Sequence, residues 1–127
     1  MRTAQGNESI RKGRLSKAVQ FQRVATDALE LVEEHQEVAD AVVTLCVHAG
    51  IAASDAICIS RLGHFAQGQD HNDAVTLLKS ADSDSARQLA ALLRMKTRAG
   101  YGYDPVTPDQ LKRATRAMDA LIERAQS

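Results

Sequence analysis

Aromatic side chains are scarce in this chain, which has no tryptophan, two tyrosines and two phenylalanines, together 3% of 127 residues. Strand-rich proteins carry more aromatic and β-branched residues than this, because those side chains pack well on a pleated surface. The turn and alternation signals of β-hairpins are missing as well. The hydrophobic fraction is nevertheless 44%, mostly alanine, leucine and valine, which favours helices packed closely through small and aliphatic side chains.

Cysteine is equally rare, and its two copies do not form a recognisable motif. Cys46 and Cys58 lie in one apolar helical segment, about 18 Å apart along an intact helix. That separation is too long for a disulfide, and neither cysteine has the C-x-x-C spacing of a redox or zinc site. We expect two buried thiols in a cytoplasmic protein.

Long hydrophobic runs of membrane-spanning length are also missing. Residues 1–20 contain no apolar core of the kind that a signal peptide needs. The longest uncharged run in the apolar region, residues 41–54, is too short to cross a bilayer. The sequence therefore predicts a soluble chain without a membrane partner.

The chain has no net charge, but its charges are unevenly distributed. Residues 1–24 hold six cations and one acid, residues 25–86 two cations and eleven acids, and residues 87–127 eight cations and four acids. This arrangement is consistent with a basic face for an anionic partner, with two surfaces that pair across a dimer, or with ordinary solvated helix faces.

Apolar residues recur at helical spacing in five segments. The predicted helices cover approximately residues 9–35, 37–61, 71–81 and 85–98, and a last helix begins at residue 108 with an apolar stripe that continues to residue 125. Short connections between long helices favour antiparallel neighbours. The sequence thus predicts an all-α, up-and-down bundle of four main helices plus a short fifth. We expect one domain over residues 9–127 and a disordered segment at residues 1–8.

Several residues mark the ends of these helices. Asp70 is a favourable N-cap for the short helix, and Thr107 with Pro108 is the expected start of the last one. The Leu62-Gly63 pair is typical of a helix C-terminus.

No motif for a metal, a cofactor or a nucleophile is present. The four histidines, at positions 35, 48, 64 and 71, do not fall at ligand spacing. Phosphate-loop and nucleophile-elbow patterns are absent too. We therefore expect no cofactor and no metal. His48 is interpreted as a core histidine, because its helix is apolar on nearly every side.

Asp55 stands out as an acid inside that apolar helix. A buried carboxylate must be paired, hydrogen-bonded or protonated. The cations expected to be able to reach it from another helix include Lys96, Arg94 and Arg98. Asp55 is then either a buried clamp that sets the helix register or a functional acid that lines a groove.

The segment RMKTRAGYGYDPVTPDQLKR, residues 94–113, holds both tyrosines of the chain beside several cations. Arg94 and Arg98 are predicted to face solvent, together with Arg87. Lys96 is predicted to extend over the corner formed by Tyr101 and Tyr103, where a cation and two phenols would suit a phosphate or a stacked base. The alternative is that the tyrosine rings plug the end of the bundle.

Three segments together give the chain a family resemblance. They are AVVTLCVHAGIAASDAICIS, DHNDAVTLL and RMKTRAGYGYDPVTPDQLKRATRAMDALI. In this order they resemble the HEPN domain, a nucleotide-binding helical domain of higher eukaryotes and prokaryotes, over residues 10–125. The resemblance implies a helical bundle and a homodimer. It further implies a metal-independent ribonuclease, a non-catalytic binder of nucleotide or RNA, or a partner of a nucleotidyltransferase or of a toxin–antitoxin pair.

The chain departs from the ribonuclease motif of that family, in which an arginine precedes a histidine by several residues. Lys96 occupies the arginine position, Tyr101 the histidine position, and Tyr103 that of a following tyrosine. Tyrosine is a poor general base at neutral pH. The expected function is therefore non-catalytic binding near Lys96, Arg98, Tyr101 and Tyr103, with Asp55 and Ser54 lining the same groove. A divergent ribonuclease and a structural subunit are the alternatives.

Overall fold

The computed structural model describes residues 1–68 and 70–127. Within these residues the chain forms five α-helices, which are α1 (Glu8–Leu31), α2 (Ala39–Leu62), α3 (His71–Ala81), α4 (Ser83–Gly100) and α5 (Pro108–Gln126). A 3-10 helix at His35–Val38 joins α1 to α2. Four helices are long and α3 is short, so the predicted all-α helical bundle is confirmed.

Local capping explains where several helices begin and end. The Asp70 side chain accepts two backbone N–H bonds at the start of α3. Thr107 and Gln110 form a reciprocal capping box at the start of α5. Gly63 follows α2 with a φ of 78°, a left-handed conformation that glycine adopts without a steric penalty. All three ends agree with the sequence prediction.

Other helix boundaries differ from the prediction. The first helix ends at Leu31 instead of His35, and the residues that follow, 33–37, carry three glutamates. Negative charge at a helix C-terminus opposes the helix dipole, which favours an earlier end. The fourth helix is longer than predicted and extends from Ser83 to Gly100, because the Asp82 side chain caps it.

The N-terminal segment, for which the sequence predicts disorder at residues 1–8, contains a short strand in the structure. Thr3–Gln5 forms strand β1, which pairs antiparallel with strand β2 at His64–Ala66. The backbone N–H of Gly6 also donates to the carbonyl of Gly63. This pairing joins segments far apart in sequence, so local patterns do not reveal it. It positions Phe65, which is buried, beside the start of α3.

The central helix is α2, which packs against α1, α4 and α5. The segment His35–Leu62 is long and apolar enough to cross a bilayer, with a mean hydropathy of 1.9, but 72% of that window is buried inside the protein. Such burial is typical of the core helix of a soluble protein. Cys46 and Cys58 lie in this core as free, buried thiols, as the sequence predicts.

The arrangement of the helices leaves one face of α2 open. Helix α5 packs against both α2 and α4 and also touches α1, whereas α1 and α4 make few or no contacts with each other in the part of the chain that the structure describes. The face of α2 between α1 and α4 is therefore not fully covered. Leu45 and Ile51 on that face are partly exposed, and His48 is exposed.

Candidate functional site

A cleft of about 460 Å³ opens along this face of α2. Its walls come from α1, α2, α4, the first turns of α3, strand β2 and the chain that follows it. The polar side chains that line it are Arg14, His48, Ser54, Asp55, Gln67, Asp70, His71 and Lys96. Ile51, Phe65 and Leu93 supply apolar surface between them. A concave site of this size, with a few polar groups on apolar walls, has the usual character of a small-molecule site.

Two carboxylates line the described walls of this cleft, Asp70, whose side chain caps α3, and Asp55, which lies deeper on α2. The Asp55 side chain is 17% exposed, and its Oδ2 lies 3.7 Å from the Nε of Arg14 on α1. Burial raises the pKa of the Asp55 carboxyl to about 6, although the nearby Arg14 charge opposes that rise. The predicted partners on α4 were wrong: the cation beside Asp55 comes from the helix that packs along α2.

Arg14 is held between an aromatic ring and a carboxylate. Its guanidinium carbon lies 5.4 Å from the centroid of the Phe65 ring, and its side chain remains 40% exposed. Phe65 belongs to β2, so the strand pairing with the N-terminal segment helps to hold this aromatic surface in place. A cation over a ring is attracted to its negative face.

Lys96 pairs with a histidine from a different helix. Its Nζ lies 3.3 Å from the Nε2 of His71, in the first turn of α3. Sequence reasoning identified Lys96 as a site candidate and His71 as a first-turn residue, but it did not predict their contact. The structure thus brings Lys96 into one cleft with Asp55 and Ser54. The Ser54 hydroxyl itself donates to the Gly50 carbonyl at 2.7 Å.

The two tyrosines are exposed beyond the end of α4 and do not close the bundle. Tyr101 is 82% exposed and Tyr103 is 96% exposed, so the alternative prediction that their rings plug the bundle end was wrong. Tyr101 shares a smaller adjoining cavity of about 120 Å³ with Lys96, Thr44 and His48. Tyr103 does not line the described walls of either cavity.

Arg98 is placed at the corner between α4 and α5. It donates to the Gln110 Oε1 at 3.3 Å and lies 3.9 Å from the Asp104 Oδ2. It therefore supports the connection before α5 and is only partly exposed, whereas Arg94 is exposed as predicted. Arg98 does not line the described walls of the main cleft.

His48 is an exposed histidine, not the core residue that the sequence suggested. Its ring stacks on Phe21 of α1, with centroids 5.6 Å apart and an interplanar angle of 29°. Helical spacing could have identified it, since Thr44, His48, Ile51 and Asp55 fall on one face of α2. The placement of Arg14 had no such signal, because it depends on how α1 is aligned with α2.

The cleft contains no recognisable metal centre: among residues 1–68 and 70–127, no three potential ligand side chains come together. Comparison with models of known protein families gave no match. No curated protein matches the chain significantly either. Functional inference therefore depends on the chemistry of the cleft itself.

Proposed function

We propose that this protein is a non-catalytic, HEPN-like binding module whose ligand is a nucleotide, either free or as part of RNA. The observation that carries the proposal is the pairing of Lys96 with the imidazole of His71 inside the cleft. Within the described residues no carboxylate forms an ion pair with Lys96, so its positive charge is available to an anionic group such as a phosphate.

The remainder of the cleft supports the same class of ligand. Arg14 supplies a second cation, and Ile51 and Leu93 supply apolar surface against which a base and a ribose could pack. Tyr101 stands at the adjoining cavity with most of its ring exposed. Exposed aromatic rings next to cations bind nucleotides by stacking while the cations attract the phosphates.

Binding is favoured over cleavage because the position that corresponds to the family's histidine lacks an efficient base. Tyr101 occupies the position at which the resembled family has its histidine, and a phenol ordinarily titrates near pH 10. One observation supports the alternative of a divergent, metal-independent ribonuclease. It is the presence of two imidazoles, those of His48 and His71, in the same cleft.

Isothermal titration calorimetry with mononucleotides, and fluorescence anisotropy with a labelled single-stranded RNA, would test the binding. Lys96→Ala is expected to weaken binding at least tenfold, or about 1.4 kcal/mol. It should also reduce the slope of log affinity against log salt for RNA by about one phosphate contact. Lys79→Ala is the matched control, since Lys79 is exposed on α3 and outside the described walls of the cleft.

The two ligand forms give different results in this experiment. Tight binding of mononucleotides with weak salt dependence would identify a free nucleotide, and a steep salt dependence seen only with the oligomer would identify RNA. Failure of every nucleotide and RNA to bind the unaltered protein would refute the proposal.

The ribonuclease alternative has its own assay. Labelled RNA incubated with pure protein and a chelator should stay intact if the module only binds. Cleavage that disappears in Tyr101→Phe, or in His71→Gln, would establish the enzyme instead and would identify the residue on which the activity depends.

A structural role, as a subunit that pairs with another protein, is a second candidate. The observation that favours it is that the open face of α2 carries Ala41, Leu45, His48 and Ile51 without a formal charge in its middle. Exposed apolar surface of this kind often marks a protein interface. The exposed face of α5, in contrast, carries Lys112, Arg113, Arg116 and Glu123.

We propose a second copy of the chain as the partner to examine first, since a two-fold pairing would cover this face on both copies at once. Size-exclusion chromatography with light scattering should then give twice the monomer mass. Ala41→Glu, which adds a charge at an exposed position, should restore the monomer. A monomer at all concentrations would exclude the homodimer and leave a different protein, such as a nucleotidyltransferase, as the partner to seek.

A further inference from the structure

Asp55 is a largely buried carboxylate whose oxygens open into the cleft and receive no hydrogen bond from the described residues. Its side chain lines the cleft and is 17% exposed, and the Arg14 Nε lies 3.7 Å from Oδ2, beyond hydrogen-bonding distance. No other described residue donates to it. Buried carboxylates normally accept several hydrogen bonds, because unpaired oxygens are costly away from water. A ligand that presents N–H groups to Asp55 therefore binds more tightly than one that presents hydrogen-bond acceptors.

Arg14 places donors directly beside these acceptors. Its guanidinium is held against the Phe65 ring, and it has five N–H groups in a planar fork. One short stretch of the cleft wall thus offers two carboxylate oxygens and a set of N–H donors side by side. This arrangement is complementary to a planar ligand edge that carries two adjacent donors followed by an acceptor.

We infer that the cleft selects guanine nucleotides, with Asp55 accepting from the N1–H and the N2 amine of the base while Arg14 donates to O6. The inference rests on the proposed nucleotide binding and specifies the base. Guanine is the nucleobase that presents two adjacent N–H donors on its Watson–Crick edge. Adenine and cytosine present one amine there and uracil one imide, so each leaves a carboxylate oxygen without a donor.

Charge makes this pairing selective. Hydrogen bonds to an ionised carboxylate are about twice as strong as neutral ones, and two parallel bonds also define the orientation of the base. A site built around such groups discriminates strongly against an analogue that lacks one partner, since the unmatched group stays buried. Lys96 and His71, on the opposite elements of the same cleft, remain available to the phosphate.

The experiment compares guanosine and inosine monophosphates, which differ in the N2 amine alone. Calorimetry at pH 8, where Asp55 is ionised, should show that the guanine nucleotide binds the unaltered protein about tenfold or more tightly than the inosine nucleotide. Adenosine monophosphate should bind more weakly than guanosine monophosphate by a similar factor.

Variants then assign the selection to the two residues. Asp55→Asn should bring the ratio of guanosine to inosine affinities close to one, since an amide has one acceptor oxygen in place of two and presents an N–H donor where the other oxygen was. Arg14→Gln should weaken the binding of both guanosine and inosine monophosphates, because both bases carry O6. Asp27→Asn, at an exposed position of α1, is the control and should leave the ratio unchanged.

The outcomes separate this inference from the proposed function. If no nucleotide binds, the proposed function fails and guanine selection fails with it. If guanosine, inosine and adenosine monophosphates bind equally and Lys96→Ala weakens them all, nucleotide binding stands and guanine selection is overturned. The comparison of nucleotides on the unaltered protein does not depend on any variant folding.

Discussion

The buried carboxylate of Asp55 should make the protein less stable at neutral pH than in mild acid. Burial raises the pKa of this group from 3.8 to about 6, so the folded state holds the proton more tightly than the unfolded state does. When the folded pKa lies above the unfolded one, the free energy of unfolding falls as pH rises from about 4 to above 6. Asp55→Asn replaces the carboxyl by a neutral group of similar shape. The substitution should therefore abolish this fall in the free energy of unfolding.

The size of the effect follows from the two pKa values. A difference of about 2 pH units, at about 1.4 kcal/mol each, amounts to about 3 kcal/mol at pH 8. At pH 5, which lies between the two pKa values, about half of this difference in the free energy of unfolding should remain. At pH 3 almost none of the difference should remain. For a chain of this length, 3 kcal/mol corresponds to a rise in Tm of roughly 10 °C.

Urea unfolding followed by circular dichroism, on the unaltered protein and Asp55→Asn at pH 3, 5 and 8, would measure the difference. Subtracting the two free energies cancels the contributions of every other titrating group. A variant that is less stable than the unaltered protein at pH 8 would refute the reasoning, since it would mean that the contact with Arg14 outweighs the cost of burying the charge. Asp27→Asn, at an exposed site, should show no such pH dependence.

Three further predictions concern the packing of the bundle. Gly50→Ala should destabilise the protein by about 1–3 kcal/mol, because a Cβ there would overlap the Cδ1 of the buried Leu92. Gly13→Ala, with nothing within 4 Å, should instead stabilise α1 by about 1 kcal/mol. Equal effects of the two substitutions in thermal unfolding would contradict the packing of α2. Thr107→Ala should cost about 1 kcal/mol by removing the capping box of α5, and no change in the urea midpoint would argue against that cap. Cys46, whose pKa burial raises to about 12, should react with a thiol reagent at pH 8 only after unfolding in urea, and rapid native labelling would contradict its burial.

Local interactions account for what could be predicted from the sequence. Helical periodicity revealed the five helices, and the caps at Asp70 and Thr107 were predictable because each acts on backbone groups within the next few residues. The end of α2 at Gly63 was predictable for the same reason. Candidate site residues on a single element, such as Asp55 and Lys96, could be selected by their chemistry in a helical context.

Features that join distant segments could not be found in this way. The pairing of β1 with β2 links Thr3–Gln5 to His64–Ala66, and three-residue strands are too short to show an alternating pattern. The prediction of the cation beside Asp55 was wrong because α1 supplies that cation. The alignment of α1 along α2 depends on the whole interface between the two helices. His48 was misplaced because the sequence shows that α2 is apolar nearly all round, but not which face its neighbours leave open.

The sequence by itself determined the helical class, most helix ends, the burial of both cysteines and the residue types available for a site, because periodicity and capping act over a few residues. Only the tertiary structure decided that Arg14, Asp55, His71 and Lys96 line one cleft, and that Tyr101 stands exposed beyond the end of α4. The physical reason is that a side chain's neighbours on other helices depend on how those helices pack. Here that packing leaves one face of a core helix open and places charged groups around it.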